Sequence, residues 1–298
     1  MSTESRKALR HRRLTELIAE FQRHLDVYTE RTPFTRSGQL ESHRETVERR
    51  RAHVTVGAAL EDDAFLDSLY RTLRAWGIGV RASRLADREA FGHELRSWTV
   101  QLANLDGVTL AFANATHLEA VWRLINGIDI VDNEARLVAL TKTLHHLLPD
   151  LVMPIDRAYT GVFFAWHVPE FQTRQREIFD SAWVGAQQVA KQIPLNEYVE
   201  SAPWNTSATK VIDNAIVGYC IGSDLVQIRR KAMHAAPQTG VARRESWDLT
   251  DLEEDLVEFA NELQRAGLKP HTIGTYVGRA ETFLRWLAGR YEPRGPNT

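Results

Sequence analysis

A single cysteine, Cys220, stands in a chain of 298 residues. One thiol excludes an intrachain disulfide, a cysteine-based zinc site and an iron–sulfur cluster. Its neighbours Val217, Tyr219 and Ile221 mark it as a core thiol. Long apolar runs are missing as well. No segment approaches the ~18 uninterrupted apolar residues of a membrane span, and the first residues are charged where a signal peptide needs an apolar stretch. The expectation is a cytoplasmic protein with no membrane partner. Excess charge of one sign is also absent: the formal net charge is −2, so the chain as a whole does not announce a nucleic-acid partner. Repeats, low-complexity tracts and alternating strand patterns are lacking, and Val108–Phe112 is too short to build a sheet.

What is present is an ordinary globular composition, 43% hydrophobic and 26% charged, sufficient for a sizeable core and for two domains. Charge is uneven along the chain. Residues 1–53 hold twelve Lys/Arg against eight Asp/Glu, with Arg6, Lys7, Arg10, Arg12 and Arg13 at one end and Arg49, Arg50 and Arg51 at the other. Residues 265–298 hold six against two. Such patches either follow a phosphate backbone or form solvated helix faces.

Apolar periodicity is helical nearly throughout, which predicts an all-α fold. Helices are expected over 5–30, one or two over 41–75, then near 87–104, 115–126, 133–148, 156–166, 172–191 and 207–220. Thr32-Pro33, Ser37-Gly38 and Trp76-Gly77-Ile78-Gly79 are breaks. A boundary is expected near 234–247, where Pro237 and Gly240 interrupt a polar stretch. Three regions result: a basic helical N-terminal extension over 1–60, a helical body over 61–235, and a small helical domain over 246–298.

The last region opens with Thr250-Asp251-Leu252-Glu253, the form of a capping box. Leu252, Leu256, Phe259 and Leu263 make one apolar stripe; Gly267 ends that helix. Pro270 suits a first helical position, and Ile273, Tyr276, Val277, Ala280, Leu284 and Leu287 make a second stripe. The segments Leu252–Leu256, Thr272–Tyr276 and Phe283–Leu287 resemble the core-binding domain of phage-type tyrosine recombinases. That resemblance implies a small SAM-like domain that clamps duplex DNA, with Lys269, His271, Thr272 and Arg279 at the DNA. A hairpin that merely packs on the body is the other reading.

The segment from Leu144 to Thr160 is the most informative. Helix 133–148 places Leu137, Leu140, Thr141, Leu144 and Leu148 on one face, Lys142 and His145 on its shoulder, and His146 pointing away. Pro149 ends it, an extended bridge runs to Pro154, and Asp156 opens the next helix. A carboxylate at a helix start is a cap; it is also held ionised by amides and dipole, and so suits a developing cation. The order Ile125-Asn126-Gly127-Ile128-Asp129-Ile130, helix, Pro154-Ile155-Asp156-Arg157 resembles the helix-hairpin-helix DNA glycosylases, with Gly127 alone where the family's hairpin carries two glycines. The resemblance spans roughly 95–220 and extends to Pro203–Asn214.

That resemblance implies a glycosylase-like body acting on double-stranded DNA. It would flip out and excise a modified or damaged base, such as a glucosylated hydroxymethylcytosine of phage DNA in antiviral defence. Asp156 would then be the catalytic aspartate, stabilising an oxocarbenium ion and activating water, so that the enzyme is monofunctional. Lys142 is the candidate for a lyase nucleophile, a phosphate contact or a surface lysine. Trp204 and Asn205 suit stacking on and reading an extruded base, with core packing the alternative for Trp204. Tyr159 and His145 join the candidate base pocket, His145 equally a core histidine, and Gly127 and Arg157 the DNA surface. His117, His145, His146 and His167 do not form a metal motif, since adjacent helical histidines diverge by about 100°. No metal, cofactor or obligate protein partner is expected, and a non-catalytic DNA-binding protein on the same scaffold is the alternative function.

Overall fold

The computed structural model describes residues 3–35, 38–79, 84–133, 135–226, 249–265 and 268–290. Among the described residues the protein is all-α: 71% helix in fifteen helices, with no strand. Val108–Phe112 contains only a 3-10 turn over Leu110–Phe112, and Leu85 and Val131 form an isolated bridge. The chain divides into two compact units, Met1–His234 and Ala235–Thr298. The expected boundary at 234–247 lies outside the described residues.

In the first unit the long helix expected at 5–30 is two helices, α1 (Thr3–Ala19) and α2 (Phe21–Arg31), separated at Glu20, whose φ of −119° and ψ of 32° leave the helical region. α2 buries Phe21, His24, Leu25 and Tyr28, the three-and-four spacing of one helix face. α3 (Gln39–Ala52), α4 (Val56–Glu61) and α5 (Asp63–Ala75) follow where one or two helices were expected; Thr55 and Asp62 cap α4 and α5 by accepting backbone N–H bonds. Thr46 of α3 bonds Ser68 and Thr72 of α5 at 2.7 and 2.8 Å, a buried hydroxyl cluster that satisfies itself.

The next elements are α6 (Arg88–Ser97), α7 (Thr99–Ala103), α8 (Ala115–Gly127), α9 (Leu137–Leu147), α10 (Thr160–Phe163), α11 (Glu170–Thr173), α12 (Gln175–Gln192) and α13 (Ala208–Gly222). His117 serves the capping box of α8, its ring accepting the Asn114 N–H. α13 is the central helix, buried from Thr209 to Cys220. It lies against α2 with backbones nearly touching at Gly218: a Cβ there would stand 1.8 Å from the His24 carbonyl oxygen. Residues 3–52 are therefore part of this unit's packing, with Leu14, Leu17, Phe21 and Leu25 in the same apolar cluster as Leu144 and Ile216. Cys220 is fully buried there.

The basic runs are largely structural. Arg13 donates to the Val162 and Phe163 carbonyls at 2.6 and 2.9 Å, and Arg10 to Phe164 O at 2.6 Å. Arg6 pairs with Glu170 at 2.9 Å. The guanidiniums of Arg6, Arg10 and Arg174 lie 4.5, 4.4 and 5.0 Å from the Trp166 ring centre. Arg50 pairs with Asp106 at 2.6 Å and donates to Leu147 O at 2.9 Å, while Arg49 bonds Glu45 and Arg51 bonds Glu200. Apart from Arg49, whose partner is one turn away in α3, these cations tie distant segments together instead of forming a free phosphate-binding face; Lys7 and Arg12 remain exposed.

The second unit contains α14 (Leu249–Arg265) and α15 (Pro270–Leu287). Pro270 takes the first position of α15 after Lys269. α14 already includes Leu249, so Thr250 lies inside the helix and not at its cap, which corrects the capping-box expectation; Gly267 lies outside the described residues. Leu284 is buried, whereas Phe259, Tyr276 and Leu287 of the two apolar stripes are exposed, and Phe283 stacks on Trp286 at 5.9 Å. No helix among the described residues is long and apolar enough to cross a membrane.

Candidate active site

Three local stops bring polar groups to one place. α5 ends in a Schellman motif: Gly77 N–H bonds Arg74 O at 3.0 Å, Ile78 N–H bonds Leu73 O at 2.9 Å, and Gly77 takes the required φ of +84°. That turn fixes Trp76, whose carbonyl accepts from Lys142 Nζ at 3.2 Å. α9 ends at Leu147, and the bridge after it is tied down by Thr141 Oγ1, which accepts the Ile155 N–H at 3.2 Å. Ser207 caps α13, and the loop before it carries Trp204.

The resulting pocket is lined by Lys142, Asp156, Lys210 and Asp213, with Trp76, Trp204 and Phe34 as aromatic walls and Gln39 beside them. Its cavity volume is about 50 Å³, room for a few waters and not, in this conformation, for a nucleobase. Lys210 is the best-held charge. Its ammonium donates to Asp213 Oδ2 at 2.6 Å and Asn214 Oδ1 at 2.9 Å. It sits 5.4, 5.6, 5.9 and 5.9 Å from the ring centres of Trp204, Trp76, Phe34 and Tyr28. Burial is the largest influence and opposes the charge on Lys210, but Asp213, Tyr28 and Asp156 together outweigh it, and the ammonium is held above the ordinary lysine range.

Asp156 does not open a long helix. Its Oδ1 accepts the Ala158 and Tyr159 N–H groups at 2.6 Å each, capping a turn that leads into the four-residue α10. One helical turn has little dipole, so the expected dipole stabilisation is absent. Burial raises the Asp156 pKa, and the Asp213 charge adds to it; the two amides and Lys142 pull the other way without prevailing. Lys142 shifts in the opposite sense. Burial lowers its pKa, against the pull of Asp156 and Asp213. An acid moved up and a lysine moved down in one pocket are better matched for proton exchange than either would be in water.

The other expected site residues part company. Trp204 lines the pocket, stacked on His43 with ring centres 5.6 Å apart. Tyr159 stands nearby, edge-on to Phe34 at 6.1 Å. His145 lies behind the pocket, fully buried, its Nδ1 bonded to Val152 O at 3.0 Å. His146, expected to point away, is buried too: its Nδ1 donates to Lys142 O at 2.8 Å, and its Nε2 meets His43 Nδ1 at 2.9 Å. Asn205 is a turn residue, with Oδ1 accepting from Asn214 at 2.8 Å and Nδ2 donating to Ser201 at 3.0 Å. The base-reading role expected of it is corrected accordingly: both amide arms are engaged outside the pocket. Gly127 ends α8 with Trp98 packed where a side chain would stand, 2.4 Å from an added Cβ. Its amide belongs to the helix. Arg157 lies over the Phe171 ring at 6.0 Å. Lys269, His271 and Arg279 are exposed on the second unit, and Thr272 is half-buried.

Sequence reading missed Gln39, Phe34, Trp76, Lys210 and Asp213. Only the last two left a signal: two opposite charges three residues apart inside the otherwise apolar run of α13. Among the described residues no three His, Cys, Asp or Glu side chains are grouped to hold a metal. No family model, curated protein or solved structure matches the chain.

Proposed function

We propose that the protein is a DNA glycosylase that excises a modified or damaged base, in keeping with its sequence resemblance to the helix-hairpin-helix glycosylases. One observation carries the reading: Lys142 and Asp156, matched to each other by opposite pKa shifts, line a single aromatic-walled pocket. When the bond from C1′ to the base nitrogen breaks, positive charge grows on the sugar, and the Asp156 carboxylate offsets it. Water then adds its oxygen to C1′, its proton passing to Asp156 and on to the departing base. Trp76 and Trp204 supply stacking faces for an everted ring. The cavity must widen for any base to enter, and its size argues against a sugar-bearing one. The exposed Lys269, His271 and Arg279 suit backbone contacts to duplex DNA.

Duplexes carrying modified or damaged bases, incubated with the full chain and treated with alkali, are expected to give cut strands. Asp156→Asn should lower the yield by about two orders of magnitude or more with DNA affinity retained. No abasic product on any such duplex rejects the proposal. Borohydride trapping that depends on Lys142 would replace the water route with an amine nucleophile, a course favoured by the lowered Lys142 pKa. A second reading, DNA binding without catalysis, is supported by the small cavity and the closed Lys210–Asp213 pair. It expects salt-sensitive binding that Asp156→Asn leaves unchanged, and no product.

A further inference from the structure

The strongest unexplained group in the molecule is the side-chain oxygen of Gln39. Gln39 is the first residue of α3 and is 9% exposed. Its Nε2 donates to the Ala75 carbonyl at 3.0 Å, at the end of α5. A carbonyl only accepts, so this contact fixes which way the amide points: nitrogen to Ala75, oxygen to the other side. That oxygen is buried and has no hydrogen-bond partner, and Gln39 lines the pocket. A buried acceptor left unpaired is a standing cost, rare in folded proteins and often a mark of a missing ligand.

The lysine donors of the pocket make their bonds elsewhere. Lys210 is engaged by Asp213 and Asn214, and Lys142 by Trp76 O. The missing donor therefore belongs to something that enters. Trp76, Trp204 and Phe34 favour a flat ring. Lys142, with a single hydrogen bond for three ammonium protons, offers its remaining N–H groups to an acceptor on that ring. An N–H facing Gln39 and a carbonyl oxygen facing Lys142 are the two halves of a lactam.

We propose that Gln39 is the specificity-determining residue of the pocket, accepting the ring N–H of a lactam heterocycle whose neighbouring carbonyl is held by Lys142. The inference rests on the base-excision reading for where the ring comes from, but not for how it is held. 1-Methyluracil, 1,3-dimethyluracil and 1-methylcytosine are the probes: N1 is blocked in all three, as it is in a nucleotide, the second lacks the remaining ring N–H and the third replaces it with a bare ring nitrogen. Binding of these bases to the full chain is measured by titration calorimetry or ligand-observed NMR. 1-Methyluracil is expected to bind about tenfold or more tightly than either competitor, and Gln39→Met should bind 1-methyluracil and 1,3-dimethyluracil alike. Equal binding of 1,3-dimethyluracil or 1-methylcytosine to the unaltered protein, absence of 1-methyluracil binding, or a preference that survives Gln39→Met overturns the proposal. The comparison in the unaltered protein holds even if the variant fails to fold. Preference for 1-methyluracil without abasic product from any duplex would refute excision and leave the lactam site standing. Abasic product without that preference would refute the lactam site alone.

Discussion

Two places in the first unit gather cations around aromatic rings. Around Trp166, Arg6, Arg10 and Arg174 share one indole, and Arg10 and Arg13 donate to the last carbonyls of α10. Around the pocket, Lys210 sits among four rings and Lys142 touches one backbone oxygen. The first cluster closes on main-chain carbonyls and on Glu170, with Arg6 Nε and Arg10 Nη2 left over; guanidiniums fit such acceptors and stay charged, even though burial and the neighbouring Arg6 lower the Arg10 pKa to about 10. The second holds one lysine, Lys142, whose pKa burial lowers, beside Asp156, whose pKa burial raises. A cluster that directs most of its donors to backbone carbonyls and a carboxylate of distant segments holds a fold together. One that keeps donors and an acceptor uncommitted is suited to a ligand.

The comparison sharpens with substitutions that remove one charge at a time. The largest loss of stability is expected from Lys210→Met, which leaves Asp213 buried and unpaired; chemical denaturation should show about 3–5 kcal/mol, with most of it restored in Lys210→Met/Asp213→Leu. If the single variant is as stable as the parent, the pair is not the structural anchor of the pocket.

Acidification comes next. His43, His145 and His146 are buried side by side, and burial first, then mutual repulsion and the Lys210 charge, hold His43 and His145 well below the usual histidine range. Arg44 adds to the repulsion at His43. For His146 burial lowers the value to about 4, against a bond to Lys142 O that favours the charged ring. Between pH 6.5 and that value the unfolded chain binds protons that the folded chain does not, so stability falls as pH drops through the window. For His146 the loss approaches roughly 3 kcal/mol. A melting temperature independent of pH from 7 down to about 4 would contradict the neutral cluster.

Arg13→Ala should cost about 1–3 kcal/mol in the same denaturation experiment, because the Val162 and Phe163 carbonyls lose their donor, while 1-methyluracil binding stays unchanged. A drop in ligand binding would mean that the two clusters are coupled through α10. The smallest effect belongs to Arg12→Ala, an exposed cation of the same run, at within about 0.5 kcal/mol.

Much of the helical order was legible along the chain, because three-and-four spacing, caps and breakers are local. α8 and α13 begin and end close to where periodicity puts them. Long expected helices came apart where no breaker residue marks the division, as at Glu20. The site was legible only as a stretch around Lys142 and Asp156. His145 shares a helix shoulder with Lys142 in projection, yet Val152 and Thr209 hold it behind the pocket. Gln39 and Phe34 come from segments more than a hundred residues away, and nothing in their neighbourhoods announces a site.

By itself, then, the order of residues determined an all-helical protein, the break after Trp76 and the exclusion of an intrachain disulfide. These depend on backbone preference and spacing within a few residues. Which charges face one another, and which donors and acceptors stay without partners, was decided only by tertiary packing. Burial and pairing are properties of what surrounds a group, and for Lys142, Asp156 and Gln39 the surroundings are assembled from distant helices.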